Sequence, residues 1–131
     1  MEPALKNNQT VFINKLAYGI VKPFSSSFII QWKSVQKNDV VIFLVDNSMV
    51  VKRCIATQND ALEFLGDSEY SLKVNGIFVP LTQSQFQFLK DFSCVPKGKV
   101  LLIGDNYESS IDSRDFGFIP QENIIGKVIC K

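Results

Sequence analysis

Val40-Val41-Ile42-Phe43-Leu44-Val45-Asp46-Asn47-Ser48-Met49-Val50-Val51-Lys52-Arg53-Cys54-Ile55-Ala56 decides the fold of this chain. Two apolar runs of strand length flank Asp46-Asn47-Ser48, which has turn chemistry. Runs of this kind joined by so short a turn pair as antiparallel strands. The same texture continues outward in both directions. Short clusters of Val, Ile and Phe, broken by Asn, Asp, Gly, Ser and Pro, predict further strands at Val11–Ala17, Phe28–Trp32, Ser71–Val74, Ile77–Leu81, Lys99–Ile103 and Ile124–Cys130. Asn75-Gly76 lies between two of them and reads as a two-residue hairpin, because both residues tolerate positive φ. Thr82 to Phe92 is the one helical candidate, with Thr82 as its cap and Phe86, Leu89 and Phe92 on one face. The expected fold class is mainly β: antiparallel β-sheets forming a sandwich or partly open barrel, with at most one short helix.

With 131 residues, 46% of them hydrophobic, the chain can bury a core without disulfide staples. The formal net charge of +1 lacks the basic footprint of a nucleic-acid-binding protein, so no nucleic-acid partner is expected. Cys54, Cys94 and Cys130 form an odd set without CxxC spacing, which argues for buried apolar residues and against a metal site or disulfide framework. Histidine is absent, which excludes Ser–His–Asp triads, Cys–His dyads and nearly all catalytic zinc sites. An enzyme of this composition must move protons with Lys, Asp, Glu, Tyr or Cys, and no cofactor is expected. No apolar run approaches the roughly 18 residues of a membrane span, and no targeting segment is visible in the 131 residues.

Three segments carry polar residues that invite chemistry. Strand alternation places Lys52 on one face with Val50, Cys54 and Ala56, and Arg53 on the other with Val51 and Ile55. An ammonium among apolar neighbours is desolvated, its pKa falls, and it becomes able to take a proton from a hydroxyl. On strand pattern alone, the plainer reading is a lysine whose stem packs while its head reaches water. The second segment, Gly104-Asp105-Asn106-Tyr107-Glu108-Ser109-Ser110-Ile111-Asp112-Ser113-Arg114-Asp115-Phe116-Gly117-Phe118-Ile119-Pro120, follows an apolar strand and crowds acids, an arginine and serines into one loop. Asp112 and Arg114 can pair there, and the hydroxyls can bond main chain. Composition alone favours an ordinary solvated turn. The third segment is the start, Met1-Glu2-Pro3-Ala4-Leu5, where Pro3 holds Glu2 extended.

Taken together and in order, these segments resemble type I signal peptidase across nearly the whole chain. Met1 to Leu5 resembles the family's Ser-Met-x-Pro-Thr-Leu box without its Ser, and Asn14-Lys15-Leu16-Ala17-Tyr18-Gly19-Ile20 the strand after it. Lys37-Asn38-Asp39-Val40-Val41-Ile42-Phe43 resembles the Arg-Gly-Asp-Ile-Val-Val-Phe box, and Val51-Lys52-Arg53-Cys54-Ile55 the box of the catalytic lysine. Gly104-Asp105-Asn106, Asp112-Ser113-Arg114 and Gly117-Phe118-Ile119-Pro120 resemble the final box, the most specific element of all.

The resemblance implies a serine endopeptidase that removes signal peptides from exported preproteins through a Ser–Lys dyad. Lys52 would be the general base and Ser110 would orient it. Arg53, Asp105, Asn106, Asp112 and Arg114 would give structural support. Met1, Pro3, Val50 and Cys54 would line shallow pockets for small side chains near the cleavage site, and the substrate would add as an extended strand. The nucleophilic serine would lie just before Met1, because Met1 matches the position after it. Partners would be preprotein signal peptides and a membrane surface, at the extracytoplasmic face of the bacterial plasma membrane. The fold implied is of the signal peptidase/LexA type, one domain over 1–131, with a core of about 1–56 and 97–131 and a variable insert at 57–96. Ala56-Thr57-Gln58-Asn59-Asp60 keeps only the Asp of the family's Gly-x-Pro-Gly-Asp turn, so that turn must be built differently. The competing function is a catalytically inactive, peptide-binding paralogue.

Overall fold

The structure, a computed structural model, describes residues 12–14, 19–21, 28–31 and 34–129, with side chains from 34 to 128. In chain order the strands are β1 (Phe12–Asn14), β2 (Gly19–Val21), β3 (Phe28–Gln31), β4 (Val40–Val45), β5 (Ser48–Thr57), β6 (Glu63–Leu65), β7 (Ser71–Val74), β8 (Ile77–Pro80), β9 (Lys99–Ile103), β10 (Ile119–Pro120) and β11 (Ile124–Ile129). Helix α1 (Gln83–Leu89) follows β8, and a single helical turn, α2 (Ser113–Phe116), precedes β10.

The opening hairpin forms as its sequence dictates. Val45 pairs with Ser48 and the register runs back to Val40 opposite Arg53. Asp46 and Asn47 alone make the turn, at φ 49° and 65°, a left-handed region that short polar side chains tolerate. Ser48 therefore belongs to the strand. Asn75 and Gly76 make the same two-residue turn between β7 and β8, at φ 50° and 78°.

Around the hairpin stands an open six-stranded antiparallel sheet in the order β1-β11-β4-β5-β9-β10, which does not close into a barrel. Two smaller sheets accompany it, β2-β3 and β6-β7-β8. One face of the large sheet buries Val41, Phe43, Cys54, Val100, Leu102, Ile119 and Ile124 together with Val35. A second cluster joins Ile55, Ala56, Leu101 and Ile103 of the large sheet to Leu72, Val74, Val79 and Leu81 around the small one. Each such side chain contributes on the order of 1.5–3 kcal/mol by leaving water, so the small sheet is fastened by shared apolar burial.

The register of β5 against β9 shifts between Cys54 and Ala56: Cys54 lies opposite Leu102, but Ala56 lies opposite Leu101. The extra residue is a β-bulge, and alternation reverses across it. This corrects the expected face of Lys52. Val50 and Cys54 share it, while Ala56 turns to the other cluster with Ile55. The bulge is tied down by Asn75, whose Nδ2 donates to the Ile55 carbonyl and to Asp60 Oδ2, both at 3.0 Å. Asp60 Oδ2 also accepts from the Thr57 amide at 2.9 Å, and Asn59 takes φ 70°. A side-chain clasp thus replaces the missing Gly-x-Pro-Gly turn.

Helix α1 starts after Thr82 as expected and ends at Leu89, three residues before Phe92. A helix this short does not hold itself. A reciprocal cap between Thr82 and Gln85 starts it, and the burial of Leu89 anchors it. The outer parts of the expected strands at 11–17, 28–32 and 124–130 lie outside the described residues. Strands β2, β6 and β10 are two or three residues long and carry no readable periodicity. Among the described residues no helix is long and apolar enough to cross a membrane.

Candidate active site

Lys52 sits on β5 opposite Val41, half-buried, with Val50 and Cys54 on its face. Its Nζ donates to Ser110 Oγ at 2.9 Å across 58 residues of sequence. Ser110 reaches it because β9 runs antiparallel to β5, and the chain loops back from Gly104 through Asp105 to α2.

The loop is held by a buried ion pair. Asp112 is 0% and Arg114 3% exposed. Asp112 Oδ1 accepts from the Arg114 Nε at 2.9 Å and from the Arg114 amide at 3.1 Å. Its Oδ2 accepts from Ser110 Oγ at 2.7 Å, from Arg114 Nη2 at 2.9 Å and from the Gly104 amide at 3.1 Å. Arg114 spends its remaining donors on the carbonyls of Pro80 (3.1 Å), Tyr107 (2.9 Å) and Ser110 (3.4 Å). Among the described residues no buried side-chain nitrogen or oxygen lacks a partner. Asp112 also caps α2, and Asp115 Oδ2 closes the cap by accepting from the Asp112 amide at 3.1 Å.

These contacts fix a direction. The Ser110 hydroxyl gives its proton to Asp112, so its oxygen is left to accept from Lys52. A neutral lysine amine that spends an N–H on Ser110 keeps its lone pair for another direction. Burial is the largest influence on Lys52 and lowers its pKa below the ordinary 10.5; Arg114 lowers it too, while Asp112 and Asp115 pull the other way. Burial alone would raise the Asp112 carboxyl, but the bonds from Arg114, Ser110 and the Gly104 and Arg114 amides outweigh it and hold it below 3.8.

Gly104 is a functional position to which the sequence alone assigns no role. A Cβ there would stand 2.1 Å from Ser110 Oγ, 2.7 Å from Ser110 Cβ and 3.3 Å from Lys52 Nζ. Only a residue without a side chain lets the β9 backbone pass this close to both groups. The available signal is a glycine directly after an apolar strand, a mark of close approach.

Lys52, Ser110, Asp112 and Arg114 are thus brought together. Arg53, on the opposite face, meets Asp105 through two bonds, Nε to Oδ1 at 2.9 Å and Nη2 to Oδ2 at 3.0 Å, and Arg53 Nη1 donates to the Asn38 carbonyl at 3.1 Å. Asn106 is exposed, and its carbonyl accepts from the Ser109 amide at 3.3 Å. Val50 is half-buried. Cys54 is wholly buried, and burial pushes its thiol up to about 12, so it behaves as an apolar core residue. Met1 and Pro3 lie outside the described residues. Among the described residues no group of three or more acidic, cysteine or histidine side chains could hold a metal ion.

Three comparisons with known proteins place the chain in a family. The family model described as signal peptidase, peptidase S26, matches residues 1–131. Signal peptidase IB of Staphylococcus aureus (strain Mu50 / ATCC 700699) is 32% identical over 149 residues, covering 98% of this chain and 70% of the relative. Signal peptidase I V of Bacillus subtilis (strain 168) is 28% identical over 150 residues, covering 98% and 77%. Among solved structures, a crystal structure of a signal peptidase I from Enterococcus faecalis V583 superposes with a TM-score of 0.53 at 25% identity, covering 74% of this chain and 98% of that one. An open antiparallel sheet, the lysine beside a serine held by a buried Asp–Arg pair, and a family match over the full length converge: this chain belongs to the type I signal peptidases of the peptidase S26 family.

Proposed function

We propose that the chain is the catalytic domain of an endopeptidase that removes signal peptides from exported preproteins by a Ser–Lys dyad, with Lys52 as general base. The observation that carries this reading is the 2.9 Å bond from Lys52 Nζ to a Ser110 hydroxyl already committed to Asp112. In the proposed cycle the nucleophilic serine, directly before Met1, attacks the scissile carbonyl. The neutral Lys52 amine takes the hydroxyl proton and returns it to the leaving amine. Lys52 then takes a proton from the water that attacks the acyl-enzyme carbonyl and passes it to the departing serine oxygen, which restores both groups. Ser110 is a positioning residue, Asp112 and Arg114 keep its proton pointed away from Lys52, and Arg53 with Asp105 and Asn106 support the loop. Val50 lines the substrate face, and Cys54 shapes it only through its neighbours. Met1 and Pro3, which lie outside the described residues, are proposed as substrate-binding residues on the resemblance of their segment to the family's box.

The domain is proposed as one body, with 57–96 an insert on a core of 1–56 and 97–131; the apolar cluster shared by the two supports this. Its place is proposed as the extracytoplasmic face of the bacterial plasma membrane. Exposed Leu44 and Met49 (37% and 66%) at the tip of the hairpin that carries Lys52 support contact with lipid.

The test uses a chain extended upstream to include the serine, incubated in lipid vesicles with a preprotein bearing small residues before the cleavage site. Release of the mature protein is expected to disappear in Lys52→Ala and in a Ser→Ala change of the preceding residue. Undiminished release in Lys52→Ala would remove Lys52 from the mechanism. Saturable binding of a signal-peptide analogue without any release by the unaltered extended chain would instead establish the inactive, peptide-binding function.

A further inference from the structure

Two helix caps of this fold are wired in series, and the wire ends at the proposed base. In the first cap, the Gln85 amide donates to Thr82 Oγ1 at 3.2 Å and the Thr82 amide donates to Gln85 Oε1 at 2.8 Å. With Oε1 so engaged, Gln85 Nε2 donates to Asp115 Oδ1 at 2.8 Å. The other Asp115 oxygen closes the second cap by accepting from the Asp112 amide at 3.1 Å. From Asp112 the bonds continue to Ser110 Oγ (2.7 Å) and from there to Lys52 Nζ (2.9 Å). Only one orientation of the Gln85 amide serves both the Thr82 N–H and the Asp115 carboxylate, so the polarity of both Gln85 side-chain bonds is set.

Gln85 belongs to α1, inside the 57–96 segment, and lies 30 residues from Asp115. A short helical turn such as α2 has too few internal hydrogen bonds to fix its own position, and α1 is one of the elements packed against it. We propose that Gln85 and Asp115 are positioning residues: the insert helix, through their hydrogen bond, sets where the Ser110–Asp112 turn stands relative to Lys52. This makes the insert part of the catalytic apparatus, and it rests on the reading of Lys52 as the base.

The polarity of the pair supplies the test. In Gln85→Glu two carboxylates meet where one bond stood. In Asp115→Asn, an amide that keeps its oxygen on the Asp112 N–H turns its NH₂ against the Gln85 NH₂. In the double variant Q85E/D115N the bond returns reversed. The carboxylate introduced at position 85 accepts from both the Thr82 amide and the NH₂ introduced at position 115, while the side-chain oxygen at 115 still accepts from the Asp112 amide. Two measurements read this out. On the 131-residue chain, backbone amide resonances of Gly104, Ser110 and Asp112 are followed by NMR. On the serine-containing chain, kcat and KM are measured with a preprotein.

Each single variant is expected to shift those resonances and to lower kcat by about tenfold with KM unchanged, as misplacement of a catalytic group does. Q85E/D115N is expected to restore both to within about threefold of the parent, while Gln85→Ala behaves as the singles do. Unchanged resonances and kcat in the singles, a change confined to KM, or a double variant no better than the worse single would each overturn the proposal. The NMR arm needs no catalysis, so a Lys52→Ala enzyme that still cleaves would defeat the base assignment while the linkage is judged separately.

Discussion

Replacing Gly104 by alanine tests the site at its tightest point. The new Cβ would stand 2.1 Å from Ser110 Oγ and 2.7 Å from Ser110 Cβ, against backbone that β9 and its neighbours hold in the sheet. A carbon and an oxygen in contact need more than about 3 Å, so Ser110 must retreat by on the order of 1 Å. Its bonds to Lys52 (2.9 Å) and Asp112 (2.7 Å) then cannot both survive. Overpacking of this kind costs about 2 kcal/mol, roughly 8 °C in Tm for a domain of this size. The functional loss is expected to be larger in proportion: a displacement of about 1 Å lowers kcat by about 100-fold, near 2.7 kcal/mol of barrier. The assay pairs thermal unfolding with kcat and KM on the serine-containing chain. A companion variant, Gly104→Ala/Ser110→Gly, removes the clashing atoms; it is expected to recover the lost Tm but not the lost kcat. An alanine enzyme with parental kcat would refute the argument, and so would a companion variant that recovers full activity, because Ser110 would then orient nothing.

Three further outcomes follow from the electrostatics. Burial lowers the Lys52 pKa, and the neutral amine is the proposed active form, so kcat/KM is expected to rise with pH through a midpoint below 10.5, and Asp115→Asn, which removes a charge that raises this pKa, moves the midpoint lower still; a pH–rate series measures both. Asp112 is held below 3.8 in the fold, so it contributes stability that is present above 3.8 and lost as pH falls through the folded value; urea midpoints measured down that range should drop less steeply in Asp112→Asn, which has no carboxyl to protonate. Removing one partner of the wholly buried pair, in Arg114→Leu, is expected to cost about 3–5 kcal/mol in urea unfolding, whereas Arg53→Ala, from a pair 28% and 18% exposed, should cost only about 0.5–1 kcal/mol.

The parts of this fold that sequence could reveal are those set by neighbours along the chain. The hairpin of β4 and β5 announces itself through β-branched runs on either side of Asp46 and Asn47, and Asn75-Gly76 announces the second turn for the same reason. The bulge at Ile55 leaves no such mark, because what makes it is Asn75, 20 residues on, bonding the Ile55 carbonyl. Strict alternation accordingly puts Ala56 on the wrong face. At the site, Lys52 reads as an ordinary strand lysine until the final box is beside it, and the antiparallel pairing of β5 and β9 brings the two segments together across 58 residues of sequence. The roles of Gly104 and Gln85 are faint in the sequence for a related cause. One matters through an atom it lacks, and the other sits in a glutamine-rich stretch and matters through a carboxylate 30 residues away.

The Asp112–Arg114 pair also explains why so polar a loop is buried at all. An apolar pair of similar volume would be about as stable, since desolvation consumes most of the attraction between buried charges. Stability alone therefore gives no reason for it. Geometry does: one oxygen, Asp112 Oδ2, accepts from Ser110 Oγ, Arg114 Nη2 and the Gly104 amide together. No hydrocarbon can hold a hydroxyl proton in one direction, and a hydroxyl free to rotate would as readily donate to a neutral lysine as accept from it. Donation would occupy the lone pair that a base needs. The buried carboxylate removes that alternative, and Arg114, with Pro80, Tyr107 and Ser110 carbonyls around it, keeps the carboxylate charged. On the proposed reading of Lys52 as the base, the charge pair decides which way one proton points.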